Sequence, residues 1–192
     1  MTESEVVLKA AGRRLASHGI AGTTVDDVAA EAGVSRATVY RYIGGKNEIV
    51  PAVIGREAQE VLDRVAGVLT ASITSAEAVA DAVSTALVAI GENPVLARLT
   101  STDLIETLPF ITADAASLVD VAVSTLSPAM RAAPALNVDD HAVEAALEEA
   151  TRFVLLHLTT PRLDGSRLAP SDAGQRAAVL IAPMLEPALK RR

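Results

Sequence analysis

The chain has 192 residues, half of them hydrophobic but only 2% aromatic, and carries a formal charge of −7. That length fits one compact unit or a small domain attached to a larger one, with ample apolar content for a core. Cysteine is absent, which excludes disulfides, thiolate zinc sites and thiol nucleophiles. The start, Met1-Thr2-Glu3-Ser4-Glu5, has neither the basic nor the apolar region of a signal peptide. No uncharged apolar run reaches the roughly 18 residues of a membrane span, so a soluble cytoplasmic protein is expected. Ala, Val and Leu supply the apolar content, Ala and Leu being strong helix formers. No stretch alternates with the period of two that a half-buried strand needs, so the expected class is all-α, with about nine helices.

In chain order, the first helix is expected over residues 3–18. Val7, Ala10, Ala11 and Leu15 form its apolar stripe, continued by Ile20, and Gly19 stands at the C-terminal cap. Thr23-Thr24 opens a second helix with Asp26 and Asp27 in its first turn, ending at Ala32-Gly33. Ser35 caps a third, short helix reaching Ile43, and Gly44-Gly45 breaks the chain. A long helix follows over 46–71, with Pro51 tolerable if it lies in the first turn. Residues 75–91 form another, and Asn93-Pro94 starts a shorter one through Leu99. Residues 101–131 are expected to be helical but interrupted at Pro109 and Pro128. Val138-Asp139-Asp140 introduces a helix over 141–159, the segment 161–170 is a loop, and a last helix covers 172–190 with a kink or shift at Pro183.

Residues 24–43 have the makings of a helix-turn-helix. Two short helices crossing steeply need a small residue where they touch and one tolerant of positive φ in the turn, and Ala29 and Gly33 supply both. Val25, Val28, Val34, Val39 and Ile43 fall at the offsets that hold the pair together from beneath, leaving Arg36, Ala37, Thr38, Arg41 and Tyr42 to face outward. Residues 1–50 hold six Lys/Arg and six Asp/Glu, so the whole −7 falls on 51–192. No acid stands between Glu31 and Glu48, whereas Arg36, Arg41 and Lys46 do. A basic patch on an acidic body can bind phosphate while the body discourages indiscriminate adhesion.

The stretch from Thr23 to Ile49, with its Ala29-Ala30-Glu31-Ala32-Gly33-Val34-Ser35-Arg36-Ala37-Thr38-Val39-Tyr40-Arg41-Tyr42 core, the preceding His18-Gly19 and the following Lys46, resembles the tetracycline-repressor (TetR) family over about residues 5–55. Ile43 and Gly44 depart from it, many relatives carrying Phe and a bulkier residue there. The resemblance implies a helix-turn-helix DNA-binding domain at 1–46 and a larger helical ligand-binding and dimerisation domain at 47–192. It implies that the helix from Ser35 to Tyr42 enters the major groove. Arg36 and Thr38 are then first choices for base edges, because Arg pairs bidentately with guanine and a Thr methyl meets a thymine methyl. Arg41 could read a base or neutralise a phosphate, while Tyr40, Tyr42 and Lys46 bind phosphates and set register. Thr24 can offer its hydroxyl and nearby N–H groups to another phosphate or cap its helix, and Ser35 is a cap first and a contact second. Ala37 completes the expected DNA-facing set.

Residues 47–192 show no catalytic or metal constellation: His18, His141 and His157 lie on separate segments and no His-Glu-x-x-His spacing occurs. No metal or other cofactor is expected, and an α-helical enzyme finds no nucleophile–base pair to support it. The resemblance implies a ligand pocket in the central segments, for which Leu99, Leu104, Leu108, Phe110, Ile111, Leu118 and Val121 are the candidates, and a small apolar or weakly polar effector. The last two long helices are apolar on more than one face, through Val143, Leu147, Ala150, Val154, Leu155 and Leu158, then Ala177, Leu180, Ile181, Met184, Leu185 and Leu189. Pairing them with a symmetry mate would cover that surface, with Leu147, Thr151, Val154, Leu155, Leu158, Ala177, Ile181, Met184 and Leu185 as the expected interface. The function expected is a homodimeric repressor, released from a near-palindromic double-stranded DNA operator by a small molecule. The alternative is a DNA-binding adaptor whose larger domain only dimerises.

Overall fold

A computed structural model describes residues 2–72, 74–133 and 139–186. Among these there are ten α-helices and no strand: α1 (Glu3–His18), α2 (Val25–Ala32), α3 (Arg36–Tyr42), α4 (Lys46–Leu69), α5 (Ser75–Glu92), α6 (Pro94–Leu99), α7 (Leu104–Ile111), α8 (Ala116–Ala132), α9 (Asp140–Thr159) and α10 (Pro170–Ile181), followed by a 3₁₀ turn, Ala182–Leu185. No single one of them is long and apolar enough to cross a membrane. The chain divides into two compact units, Met1–Glu60 with Gly91–Phe110, and Val61–Ile90 with Ile111–Arg192.

The helix starts follow from side-chain caps. Thr2 and Glu5 close a capping box on α1, and Thr24 with Asp27 does the same on α2. Ser35 accepts from the Thr38 N–H to start α3. Asn93 caps α6 ahead of Pro94, and Asp139 caps α9 through the Ala142 N–H at 2.8 Å.

In the first unit α1 packs on α2, α3 and α6, and α2 packs on α3. Val7, Leu15, Val28, Val39 and Val53 are at most 1% exposed and fill its core. A polar pin lies at the edge of that core. Glu57 of α4 is buried, is paired with Arg56, and accepts from the Asn93 side-chain amide. Asp103 accepts from the Ile20 N–H and from Arg98, both at 3.1 Å, fixing the exit of α1 to the turn after α6. Gly19 makes that approach possible, since a Cβ there would overlap the Asp103 carboxylate and the Arg98 guanidinium.

In the second unit α8 packs along α9, and α9 packs on α10 and the 3₁₀ turn. Leu126, Met130, Val143, Leu147, Ala177, Ile181 and Leu185 are buried there. Gly174 of α10 lies against α5 so closely that a Cβ would run into the Ala80 carbonyl.

Three expectations about proline are corrected. Pro51 is the sixth residue of α4, beyond its first turn, and Pro109 and Pro128 lie inside α7 and α8 instead of interrupting them. A helix-interior proline removes one N–H and frees the carbonyl four residues earlier. Here those carbonyls belong to Asn47, Ile105 and Ser124, residues that are exposed, as are the three prolines, so the prolines fall on solvent-facing sides of their helices, where the cost of a freed acceptor is least. The break in residues 101–131 falls at 112–115, after α7. The final helix ends earlier than expected, at Ile181, and Pro183 sits in the 3₁₀ turn that follows. Val138, Leu189 and the extension to residue 190 lie outside the described residues.

Candidate nucleic-acid interface

The helix-turn-helix is built as its small residues require. Ala29 is 5% exposed where α2 meets its neighbours, and Gly33 takes the left-handed conformation, φ 67° and ψ 33°, that ends α2 and starts the turn. Val25, Val28 and Val39 are buried, with Val34 and Ile43 half-buried beside them. Gly44, at φ 104°, turns the chain into α4 in a conformation that side chains rarely adopt.

That packing leaves one exposed row. Arg36, Ala37, Tyr40, Arg41 and Tyr42 of α3 are exposed, Thr38 is half-buried, and Lys46 is exposed at the start of α4. Ser35 and Thr38 hydroxyls lie 3.0 Å apart, so Ser35 serves as the cap and also orients Thr38. Thr24 spends its hydroxyl locally: it donates to Asp27 Oδ2 at 2.6 Å and accepts from the Asp27 N–H. The Thr24 hydroxyl, with the Thr24 N–H that donates to the same oxygen at 3.0 Å, holds the Asp27 carboxyl below the usual carboxylate value, Arg14 adding to the effect.

The row is acid-free in sequence but not in space. Arg36 Nε lies 2.8 Å from Asp26 Oδ1 of α2. Arg41 Nη2 donates to Glu3 Oε2 of α1, also at 2.8 Å, and its guanidinium sits 4.6 Å from the Tyr42 ring centroid. Tyr42 donates its hydroxyl to the same Glu3 oxygen at 3.0 Å and accepts from Arg41 at 3.2 Å. Sequence reading missed Glu3 and Asp26 as members of this surface. Their only signal in the sequence is helix-start acidity, which reads as dipole compensation.

The candidate pocket residues divide between the two units. Leu99 is buried in the core of the first unit, Leu104, Leu108, Phe110 and Leu118 are half-buried, and Val121 is exposed. Ile111 alone among them lines the groove of about 740 Å³ that opens between α8 and α9 in the second unit. Val119, Val123 and Leu155 line its apolar part, while Asp120, Glu148 and Arg152 make it polar. Arg152 is already paired with Glu148 at 2.5 Å.

Of the candidate interface residues, Leu147, Val154, Ala177, Ile181 and Leu185 are buried within a single chain. Thr151, Leu155 and Leu158 are half-buried. Met184 is exposed, as are Leu156, Val179 and Leu180, at 59%, 76% and 62%. His157 is partly buried, and burial pushes its pKa below the ordinary value. Among the described residues no group of three or more His, Asp or Glu is placed to hold a metal ion.

The comparisons with known proteins divide the chain in two. The sequence model for bacterial regulatory proteins of the tetR family matches residues 7–53. The one for the bacterial tetracyclin repressor C-terminal domain matches residues 74–183. The HTH-type transcriptional repressor SCO4008 of Streptomyces coelicolor is 37% identical over 51 residues, a match spanning 27% of this chain and 27% of that relative's length. The TetR family repressor AlkX from Dietzia sp. strain DQ12-45-1b aligns with a TM-score of 0.78 at 20% identity, covering 96% of this chain and 95% of its own. The repressor QsdR of R. erythropolis gives 0.67 at 18% identity, covering 93% and 94%. At such identities these structures share the fold, and it is the sequence matches that carry descent. The C-terminal match alone takes in more than half of the residues and the N-terminal match falls on the helix-turn-helix, so the chain belongs to the TetR family of bacterial regulatory proteins.

Proposed function

We propose that the chain is a homodimeric transcriptional repressor whose α3 reads base edges in the major groove, and whose hold on its operator is released by a small molecule bound in the second unit. The carrying observation is the row on α3: exposed Arg36, Ala37, Arg41 and Tyr42 mounted on a fully buried Val39, in a helix whose start is fixed by the Ser35 cap. In this reading Arg36 and Thr38 contact base edges, and Tyr40, Arg41, Tyr42 and Lys46 hold phosphates. Ser35 and Thr24 act first as caps, their nearby N–H groups being available to phosphate. A two-fold dimer presents two such helices to a near-palindromic site with half-sites roughly one helical turn, or a multiple, apart. Its place of work is the bacterial cytoplasm, with the chromosome.

The effector side of the proposal rests on the α8–α9 groove. Its mixed lining suits an amphipathic molecule better than a wholly apolar one. Release then requires only that the effector favour a conformation in which the two recognition helices are wrongly spaced.

The test begins with in vitro selection of DNA sites by the full-length protein. Arg36→Ala is then compared with wild type on the selected operator and on random duplex. A loss of about five- to a hundred-fold on the operator, with little change on random DNA, is expected for one bidentate base contact. Equal losses on both would remove Arg36 as a base reader. A thermal-shift screen of amphipathic compounds, repeated with Val123→Trp in the groove, checks the effector arm; shifts that survive the bulky substitution place the effector elsewhere.

A further inference from the structure

The Asp26–Arg36 pair has a geometry that stability does not explain. Both side chains are more than three-fifths exposed, at 63% and 62%. Exposed pairs of this kind contribute little to folding. What the pair does is orient. Asp26 stands in the first turn of α2, ahead of the buried Val28, and Arg36 is the first residue of α3, so each is carried by a helix whose start is fixed by a cap. Asp26 Oδ1 stands 2.8 Å from Nε, an ion-pair contact at the inner end of the guanidinium. A guanidinium has a fork formed by its two terminal nitrogens, and a carboxylate drawn to the Nε end leaves that fork to face outward while the ion pair restricts the freedom of a long side chain. Two parallel N–H donors are what guanine O6 and N7 accept.

The charge of Asp26 adds selectivity. A carboxylate beside the guanidinium opposes a phosphate approaching it and leaves a neutral base edge unopposed. We propose that Asp26 is a positioning residue that commits Arg36 to a base instead of a phosphate, and so sets the specificity of the base pair that Arg36 meets. Arg41 contrasts with it: Glu3 and the Tyr42 hydroxyl both engage its terminal Nη2, which spoils the fork that Arg36 keeps.

This inference rests on the reading of Arg36 as a base-contacting residue, and a double-mutant cycle separates the two. Wild type, Asp26→Ala, Arg36→Ala and the double variant are titrated by fluorescence anisotropy. The duplexes are the selected operator, every single-base change in one half-site, and random DNA. The expected result is that Asp26→Ala lowers discrimination at one base position by about fivefold or more, the position that Arg36→Ala also flattens. Binding to random DNA stays level or tightens, and Asp26→Ala adds nothing once Arg36 is gone. Asp26→Asn keeps an acceptor oxygen without the charge and restores part of the discrimination; it also stands in should the alanine variant fold poorly. Full discrimination in both Asp26 variants, or uniform tightening on all sequences with the base preference intact, would overturn the proposal while leaving Arg36 as a reader. Equal loss on all duplexes in Arg36→Ala would overturn both.

Discussion

Gly33 and Gly44 close the two turns that bracket α3, and they do so under different constraints. Both have positive φ, at 67° and 104°. At Gly33 a Cβ would meet nothing within 4 Å, so Gly33→Ala bears only the cost of the left-handed conformation, about 1 kcal/mol. At Gly44 a Cβ would lie 3.1 Å from Glu48 Cβ and Cγ, in a less favourable region of φ. Gly44→Ala is therefore expected to lose about 2 kcal/mol or more in urea denaturation, clearly beyond Gly33→Ala. Equal losses would show that the turn into α4 can relax. Glu3 offers a second test at this scale. It occupies donors of Arg41 and Tyr42 that a phosphate would use, so Glu3→Gln should strengthen binding to operator and random duplex alike, by about two- to fivefold, with a steeper salt dependence. A gain confined to the operator would contradict this account. The glycines were legible in the sequence because backbone chemistry is local. Glu3 and Asp26 were not, because their partners lie 38 and 10 positions away and meet them only through the crossing of helices.

Whole helices were legible to the degree that their ends carry caps. Thr2, Thr24, Ser35, Asn93 and Asp139 each start a helix within a residue of the expected place. Prolines misled, because their cost depends on whether the freed carbonyl faces water, which the chain's order does not tell. The α8–α9 groove was likewise hidden: its lining comes from the end of α7, the segment 112–115, α8 and α9, which are far apart in sequence, and of the candidate pocket residues only Ile111 is among it. One close approach between elements is that of α10 to α5. Gly174 meets the Ala80 carbonyl there, and Ser84 Cβ would lie 3.2 Å from an added Cβ. Backbone cannot yield as a long side chain can. Gly174→Val should push the two helices apart and cost about 1–3 kcal/mol, with faster hydrogen exchange confined to α5 and α10. A stable variant with unchanged exchange would show that α10 slides freely on α5.

At the scale of the whole molecule, the apolar surface of α9 and α10 divides into an inward and an outward set. Ala173, Gly174, Ala177, Ala178 and Ile181 are buried along α10, while Val179 and Leu180 stand on its outside at 76% and 62% exposure. Met184 just after α10 is exposed as well, while the exposed Leu156 of α9 lines the α8–α9 groove. The sequence shows that both helices are apolar on more than one face, but which face turns inward is decided by packing. Leu147, Val154, Ala177, Ile181 and Leu185 have little area left for a partner, so a dimer held by these helices has to draw on the outward set. Leu180→Glu puts a charge into that surface without touching the chain's own core. It is expected to sediment as a folded monomer, with its melting temperature lowered only by loss of the concentration-dependent contribution of the dimer. Its operator affinity should fall by about 10²–10⁴, the avidity of two linked half-site contacts, while each half-site is still bound weakly. Ile181→Ala is the counterpart: it empties a buried position and should cost about 2–5 kcal/mol of stability, yet remain dimeric at concentrations where it is folded. Wild-type sedimentation by Leu180→Glu would place the dimer contact on another surface. Dissociation by Ile181→Ala, with its fold intact, would mean that the inward set reaches the partner after all.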